Sequence, residues 1–337
     1  MKKLVSAIAF GIMAASAAPS QAADSYHFKF TSANYAGEQV YEVQKKWTDN
    51  IKAVSNGRIT IDLLPLDAVV KPADSLMAVR NNIIQGGMLS SAHFSGVDKG
   101  FGLIGDTLGA WTGDEDILKF YYAGGGFEVV DKIFQEQGVK LIGVQLTGAE
   151  SIPSKIKIEK VDDWKGVKVR APSGPVQQLF EKMGATPVNL PGSEIYSALD
   201  KGIIDAADFS TFSNNQAQGV NDIAKFPIYP GIHSSPTVHI FMGLKQWNAI
   251  DENDQKFLLA YFRGLALDTL LIPHMADEVA YKKAVANGAT PVAWSTEERT
   301  KVRKLAREIW EDIASQSKIG ATYLDALKSY YVATGRE

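Results

Sequence analysis

The residue best suited to bind a charged ligand is Arg170, which lies in the predicted strand Val167 to Ala171 shortly before Pro172. A planar guanidinium holds a carboxylate or sulfonate through two parallel hydrogen bonds, and a water-poor cleft strengthens that pair. An arginine at a strand end can equally form a structural salt bridge or face solvent. Its position therefore makes Arg170 a candidate for ligand binding and leaves a structural role open.

Two carboxylates and several aromatic side chains accompany this arginine. Asp205 and Asp208 fall in the predicted strand Ile204 to Asp208, and their odd spacing directs only one of them towards a crevice. A carboxylate there could receive a ligand ammonium, a metal ion or only water. A single aromatic residue more often packs in the core than lines a pocket. Four aromatic residues in loop-like positions are nevertheless candidates to line a pocket: Phe94, Trp111, Phe209 and Phe212.

Motifs for catalysis are missing from the sequence. It contains no GxSxG, HExxH, GxxxxGK[ST] or GxGxxG pattern and no cysteine. No two of its five histidines have the i, i+4 spacing of a helical metal site. The triple glycine Gly124 to Gly126 follows a predicted helix rather than a strand, which favours a backbone kink or close packing over a phosphate loop.

The N-terminus predicts export. Lys2 and Lys3 precede the apolar run Leu4 to Ala18, and Ser20-Gln21-Ala22 follows as a small-x-small cleavage site. This order is typical of a secretory signal peptide, here residues 1–22. No lipoprotein cysteine is present at the cleavage site, so we expect a free periplasmic protein.

Composition indicates a soluble globular protein of about two domains. Of the 337 residues 45% are hydrophobic, and 35 Lys+Arg nearly balance 38 Asp+Glu. No basic cluster is available to neutralise a phosphate backbone, so we expect no nucleic-acid partner.

Strands and helices alternate along the chain, which predicts an α/β architecture. The predicted strands of the first half are Tyr26 to Thr31, Arg58 to Leu64, Gly87 to Ser90 and Lys140 to Gln145, and its helices are Gly37 to Val54, Ala73 to Ile84 and Glu115 to Gln137. A second series begins near Thr147 and contains the strands Val167 to Ala171, Ala185 to Asn189 and Ile204 to Asp208. The helical pattern from Asp251 to Asn287, broken near Pro273, is long enough to run across both domains. A helical C-terminus, Thr296 to Thr334, follows with a kink at Gly320.

A crevice between two such domains suits the capture of a small molecule, although the same fold could carry a hydrolase. The segment Gly166 to Phe209 resembles the core signature of the solute-binding proteins of tripartite ATP-independent periplasmic (TRAP) transporters. Its cues are a strand with arginine, a helix, MGATPV, a Pro-Gly turn, a second helix and KGIIDA. Tyr121 to Gly126 and Tyr229 to His233 are similar to the subgroup that binds α-keto acids, and the likeness covers nearly the whole mature chain.

The resemblance implies a two-domain periplasmic binding protein fold with a hinge, a long domain-spanning helix and a helical C-terminus. Domain I would comprise residues 23–147 plus about 236–275. Domain II would comprise residues 148–235 plus part of the C-terminal helical region, whose helices cover about 296–334. We expect the hinge near Thr147 and Pro236, where the chain crosses between the domains.

The resemblance also implies a ligand site in which an arginine matching Arg170 grips the ligand's acid group. In the α-keto-acid subgroup a cation bridges ligand and protein through an amide side chain, two carboxylates and a backbone carbonyl. By motif, Glu150 falls near the amide position and Asp208 at the first carboxylate. Phe209 falls where the subgroup has a tryptophan, and Ser234 where it has the second carboxylate.

These substitutions change what the site can hold. A serine in place of a carboxylate removes a hard oxygen ligand and weakens a sodium or calcium site. We therefore expect no obligatory metal or other cofactor, with Glu150 and Asp208 as the ligands if an ion binds. The two carboxylates could instead pair with a ligand's own cationic group, assisted by Phe209 and Phe94 through cation–π contact.

The sequence thus predicts a binding protein, not an enzyme, that captures a small organic acid and delivers it to the TRAP membrane permease subunits. A zwitterion such as an aminosulfonate or a betaine-like solute is the alternative within this class. A periplasmic ligand sensor or a secreted hydrolase would be a different class, and the hydrolase lacks a nucleophile and base pair. A homodimer through the C-terminal helices is a further expectation.

Overall fold

Eight strands and thirteen α-helices make up the part of the chain that the computed structural model describes, residues 25–66 and 68–336. The predicted signal peptide lies outside these residues. The strands are β1 (Tyr26–Ser32), β2 (Ile59–Leu64), β3 (Gly86–Leu89), β4 (Val139–Leu146), β5 (Lys168–Arg170), β6 (Thr186–Val188), β7 (Ala206–Ala207) and β8 (Thr237–Gly243).

The helices follow the alternating order that the sequence predicts. They are α1 (Gln39–Val54), α2 (Ser75–Arg80), α3 (Gly100–Gly105), α4 (Asp114–Ala123), α5 (Gly126–Glu136), α6 (Pro175–Lys182), α7 (Ile195–Asp200), α8 (Phe212–Ala217), α9 (Val220–Ile223), α10 (Leu244–Trp247), α11 (Glu252–Ala286), α12 (Thr296–Ser315) and α13 (Lys318–Thr334). None of the helices in the described ranges has both the length and the apolarity to cross a membrane.

The strands form two separate sheets. The larger has the order β2-β1-β3-β8-β4, in which β1 runs parallel to β2 and β3 while β8 runs antiparallel to β3 and β4. The smaller is fully parallel, with the order β6-β5-β7. Helices alternate with strands in both, so the predicted α/β class is confirmed.

Strand β8 was not predicted from the sequence. All seven of its residues are buried, because the strand lies between β3 and β4 and is covered on both faces. The sequence of such a strand is a continuous, mostly apolar run that does not alternate between apolar and polar residues. A short run of this kind does not distinguish a strand from a helix.

Helix α11 joins the two halves of the fold. It packs against α1 and β4 of the large-sheet half and against α8 of the small-sheet half. The predicted break near Pro273 is wrong, since one helix runs from Glu252 to Ala286 with the proline inside it. Pro273 is buried, as are Leu270 and Asp277 about one turn away, and the helix continues although the proline removes one backbone hydrogen bond.

Two further predictions concerned glycines. The break in the C-terminal helices falls at Gln316 and Ser317, not at Gly320, because the Ser317 side chain caps α13 by accepting from the Gly320 amide. The other prediction, a kink at the triple glycine, is confirmed: α4 ends before Gly124 and α5 begins at Gly126. Gly125 has a φ of 83°, a conformation in the left-handed region that favours glycine.

Candidate ligand-binding cleft

A cleft of about 630 Å³ lies between the two halves of the fold. The large-sheet half lines it with Asn34, Ser90 and Asp106, and the small-sheet half with Arg170 and Phe209. Its volume is that of a site for a small molecule. The crossing segments also reach it, because Thr147 and Pro236 line the cleft and the Thr147 hydroxyl donates to the Pro236 carbonyl at 2.9 Å.

Arg170 is held in the cleft by the small sheet. It ends β5, and its Nε and Nη1 donate to the carbonyls of Leu190 (3.1 Å) and Asp208 (2.6 Å). Its guanidinium carbon lies 5.9 Å from the ring centroid of Phe209, within cation–π range. Within the described residues nothing accepts a hydrogen bond from Nη2. The guanidinium is therefore oriented by the chain and still has donors to offer a ligand.

Asp208 follows β7 directly and is bound to the neighbouring strand, since its amide donates to the Arg170 carbonyl at 2.8 Å. Its carboxylate accepts from Nε2 of His233 at 2.6 Å, and both side chains are almost fully buried. Breaking one partner of a buried ion pair leaves an uncompensated charge. His233 therefore fixes the position of the Asp208 carboxylate at the base of the cleft.

Glu150 lies in the loop after β4 and is positioned by the segment that contains His233. Its amide donates to the Ser234 carbonyl at 3.1 Å. A Cβ added at Gly231 would come within 1.9 Å of the Glu150 carbonyl oxygen, so only glycine fits there. This close approach brings the Glu150 side chain to the cleft beside Asp208.

A third carboxylate, Asp106, follows α3 in the opposite half of the fold. Its Oδ2 accepts from the Ser234 hydroxyl at 2.6 Å. Its Oδ1 is buried and has no hydrogen-bond partner among the described residues. A buried acceptor without a donor is costly, so Asp106 has an oxygen available to a donor in the cleft.

The carboxylates in this cluster differ in charge state. Desolvation at the base of the cleft, then the negative charges of Asp208 and Asp106, raise the pKa of Glu150 well above its ordinary value. Burial raises the pKa of Asp106 to about 6, opposed by the hydrogen bond from Ser234. Burial also acts to raise the pKa of Asp208, but the charge and hydrogen bond of His233 lower it overall. The surroundings thus favour the protonated form of Glu150 and the ionised form of Asp208.

The structure places the remaining sequence candidates elsewhere. Phe94 is not a cleft residue: it is fully buried in the core, edge to face with Phe101 and Phe241. Its predicted cation–π role is therefore wrong. Phe212 is also fully buried, Trp111 packs on Phe120, and Asp205 accepts from the Lys168 amide away from the cleft. Among the aromatic candidates, only Phe209 lines the cleft.

Two residues of the cluster were not predicted to belong to it. His233 stands next to Ser234 in the sequence, so the predicted place of Ser234 in the site was the signal for His233. No sequence feature points to Asp106, because its contact with Ser234 joins residues that are 128 positions apart. Only the packing of α3 against β8 brings them together.

Comparison with known proteins agrees with this fold and cleft. Residues 30–317 match the family described as bacterial extracellular solute-binding protein, family 7 (DctP). The chain belongs to this family. Its members are solute-binding receptors rather than enzymes, so the predictions of a TRAP-type binding protein and of a non-enzyme are confirmed.

Several related proteins match most of the length of this chain. The crystal structure of a TRAP periplasmic solute-binding protein from Rhodobacter sphaeroides, in an apo open form, is 38% identical with a TM-score of 0.85 and covers 92% of this chain and 99% of that one. A monocarboxylate 2-oxoacid-binding periplasmic protein of Nostoc sp. is 29% identical over 79% of this chain and 73% of its own. A Pseudoalteromonas atlantica protein with bound sodium and pyruvate shares the fold at 21% identity, with a TM-score of 0.76 and coverage of 92% and 95%.

A bridging cation fits this cleft incompletely. Glu150, Asp208 and His233 each bring one ligand atom within 4.8 Å of the others. Calcium takes six to eight oxygen ligands, whereas an imidazole nitrogen suits transition metals. His233 already donates to Asp208, and the raised pKa of Glu150 disfavours the ionised form that a metal ligand needs. Two carboxylates and one imidazole thus fall short of the oxygen ligands that a calcium ion takes.

The Asp106→Asn variant should be more stable than the ligand-free wild type at neutral pH. The pKa of Asp106 is raised from 3.8 to about 6 in the folded protein, so ionisation disfavours folding as pH rises through this window. The amide oxygen still accepts from Ser234. We expect a gain on the order of 2–3 kcal/mol at pH 7, since one pKa unit is about 1.4 kcal/mol.

The gain should fade at pH 4, where Asp106 is mostly protonated. Urea unfolding of both proteins at the two pH values measures it, with Asp74→Asn, at an exposed carboxylate, as the control. An equal effect of Asp106→Asn at both pH values would contradict the assigned pKa.

Proposed function

We propose that this protein is the periplasmic solute-binding component of a TRAP transporter and captures a small organic acid anion through Arg170. The observation that carries the proposal is the oriented guanidinium on the cleft, with Nη2 free to donate. A carboxylate takes two parallel hydrogen bonds from such a group. Binding of 2-oxoacid by the Nostoc relative, as its name states, supports a monocarboxylate as ligand class.

Export and delivery belong to the same proposal. The predicted signal peptide at residues 1–22 would place the mature chain in the periplasm, where closure of the two halves on the ligand presents it to the permease subunits. Closure is useful only when the ligand contacts both halves. The cleft meets this requirement, because Arg170 comes from one half and Asp106 from the other.

We further propose that binding needs no metal ion. The carboxylate of Asp208 already accepts a hydrogen bond from His233, and Ser234 stands where the resemblance implies a carboxylate ligand. Glu150 and Asp208 remain as hard oxygen ligands for a weakly bound sodium or calcium ion.

A zwitterionic ligand is the second candidate, favoured by the unpartnered Oδ1 of Asp106. An ammonium donates several hydrogen bonds, and Asp106, Asp208 and Glu150 all line the cleft. A plain carboxylate or keto acid gives Asp106 no donor. An amino acid or aminosulfonate would satisfy Arg170 at one end and the carboxylates at the other.

The Arg170→Lys variant should bind the ligand about ten- to a hundredfold more weakly, because a lysine point charge cannot reproduce the two-pronged contact. Loss of a charge-assisted hydrogen bond costs roughly 1.5–3 kcal/mol. Titration calorimetry with a ligand found by thermal-shift screening of carboxylates, sulfonates and amino acids measures the loss. Arg80→Lys, at an exposed helix end, is the control. Unchanged affinity would remove Arg170 from the site.

Ligand binding should survive removal of divalent cations and sodium. The measurement is titration of the same ligand in potassium buffer after chelation, repeated with added sodium or calcium. We expect affinities that agree within about threefold, a difference under 1 kcal/mol. Binding that disappears without the ion would restore a bridging cation, held by Glu150 and Asp208.

The Glu150→Gln variant should separate the two ligand classes. Glutamine is uncharged, like the protonated form that the raised pKa of Glu150 favours, so affinity for a plain acid such as pyruvate should change little. A zwitterion of the same carbon skeleton, alanine, needs an ionised partner and should bind about tenfold more weakly. Equal losses for both ligands would exclude Glu150 from recognition of an ammonium group.

A further inference from the structure

A short segment without regular secondary structure contacts both halves of the cleft. Residues 230–235, here called the 230–235 segment, lie between α9 and β8. Within it, His233 Nε2 donates to Asp208 and the Ser234 hydroxyl donates to Asp106, both at 2.6 Å. Asp208 belongs to the small-sheet half and Asp106 to the large-sheet half. The geometry of the cleft base therefore depends on where this segment lies.

The backbone of the 230–235 segment is bound as well. The Gly109 amide donates to the His233 carbonyl at 2.6 Å, and the Glu150 amide donates to the Ser234 carbonyl at 3.1 Å. A buried segment that forms neither helix nor sheet has to find partners of this kind for its polar groups. These two amides report the position of the segment, since each loses its acceptor when the segment moves.

Arg299, near the start of α12, binds the first two residues of the segment. Its Nη1 donates to the Gly231 carbonyl at 2.9 Å, and its Nη2 donates to the Pro230 carbonyl at 3.0 Å. Its Nε donates to the Trp294 carbonyl at 3.4 Å. All three nitrogens of the guanidinium thus bind backbone carbonyls. A rigid, planar fork can bridge two neighbouring carbonyls in this way, whereas a lysine ammonium is a single point charge on a flexible stem.

Packing restrains the segment little on the side of Arg299. A second cavity of about 60 Å³ lies there, lined by Gly231, Ser234 and Ser235 of the segment and by Arg299. Ligand pockets have volumes of roughly 300–1,000 Å³, so this cavity is too small to be one. Groups beside a cavity lack packing contacts on that side. The hydrogen bonds from Arg299 therefore carry much of the restraint on this side of the segment.

We propose that Arg299 is a positioning residue of the ligand site. Its guanidinium fixes the 230–235 segment, and the segment in turn holds Asp208 and Asp106 in place at the cleft. The proposal rests on the ligand binding proposed above. Helix α12 packs against α6 of one half and α3 of the other, and none of its residues lines the cleft. Arg299 therefore acts on a ligand only through the segment.

Hydrogen exchange of the ligand-free protein, resolved to single amides by NMR, tests the proposal. In Arg299→Lys, the Gly109 and Glu150 amides should exchange about tenfold faster, because the carbonyls that accept from them are no longer held in place. The amides of β1, which pairs with β2 and β3, report global unfolding and should exchange at the wild-type rate. Lysine keeps the positive charge, so the variant removes only the two-pronged contact.

Arg336→Gln is the matched control. Arg336 pairs with the buried carboxylate of Asp116 and lies over the ring of Tyr330 at 5.2 Å, away from the 230–235 segment. Its loss leaves a buried charge without its partner and lowers the stability of the whole fold. Exchange in β1 should then accelerate at least as much as exchange at the Gly109 amide. The control thus separates a loss of stability from a loss of position.

Titration calorimetry with pyruvate measures the effect on binding. The dissociation constant should rise about tenfold in Arg299→Lys and stay within about twofold of the wild-type value in Arg336→Gln. Thermal unfolding checks that each variant is folded at the temperature of the titration.

Unchanged exchange at the Gly109 and Glu150 amides in Arg299→Lys would overturn the proposal. Faster exchange with unchanged affinity, or an equal loss of affinity in Arg336→Gln, would also overturn it, because Arg299 would then serve only stability. A wild-type protein that does not bind pyruvate would contradict the proposed ligand class instead. In that case the exchange rates alone decide the role of Arg299.

Discussion

The buried pairing of Asp208 with His233 is the interaction on which the cleft depends. It joins the end of β7 to the segment that leads into β8, and therefore ties the small sheet to the large one. The backbone of Asp208 also makes two hydrogen bonds with Arg170. Its carbonyl accepts from Nη1 of Arg170, and its amide donates to the Arg170 carbonyl. A single residue thus sets the orientation of the arginine and the position of the negative charge.

Charge balance explains why the free cleft tolerates three neighbouring carboxylates. Close acids cannot all ionise, so their protons are retained where the environment is most apolar and least compensated. His233 and Arg170 stabilise the ionised Asp208, while burial raises the pKa of Glu150 and raises that of Asp106 to about 6. A ligand that brings positive charge would change this distribution, whereas a plain anion would engage mainly Arg170.

The residues that the sequence could predict are those whose role follows from local pattern. Arg170 and Asp208 stand at the ends of parallel strands, where side chains meet at a crevice, and strand periodicity finds such ends. Asp106 and Phe94 show where prediction from local pattern fails. Both lie in loop-like positions, yet packing turns Phe94 into the core and Asp106 towards Ser234. Long-range contacts of this kind leave no periodic trace in the chain.

The connections between the two halves bear on the closure that we propose. Among the described residues, the chain passes between them in the paired segments at Thr147 and Pro236, along helix α11, and again at α12, which packs against α6 of one half and α3 of the other. The first two continue from β4 and β8, neighbouring antiparallel strands, so their backbones can bend together. Helix α11 is continuous, and Pro273 is where it lacks one internal hydrogen bond. If the halves close on a ligand as we propose, we expect the chain to bend at the paired segments and near Pro273 rather than within either sheet.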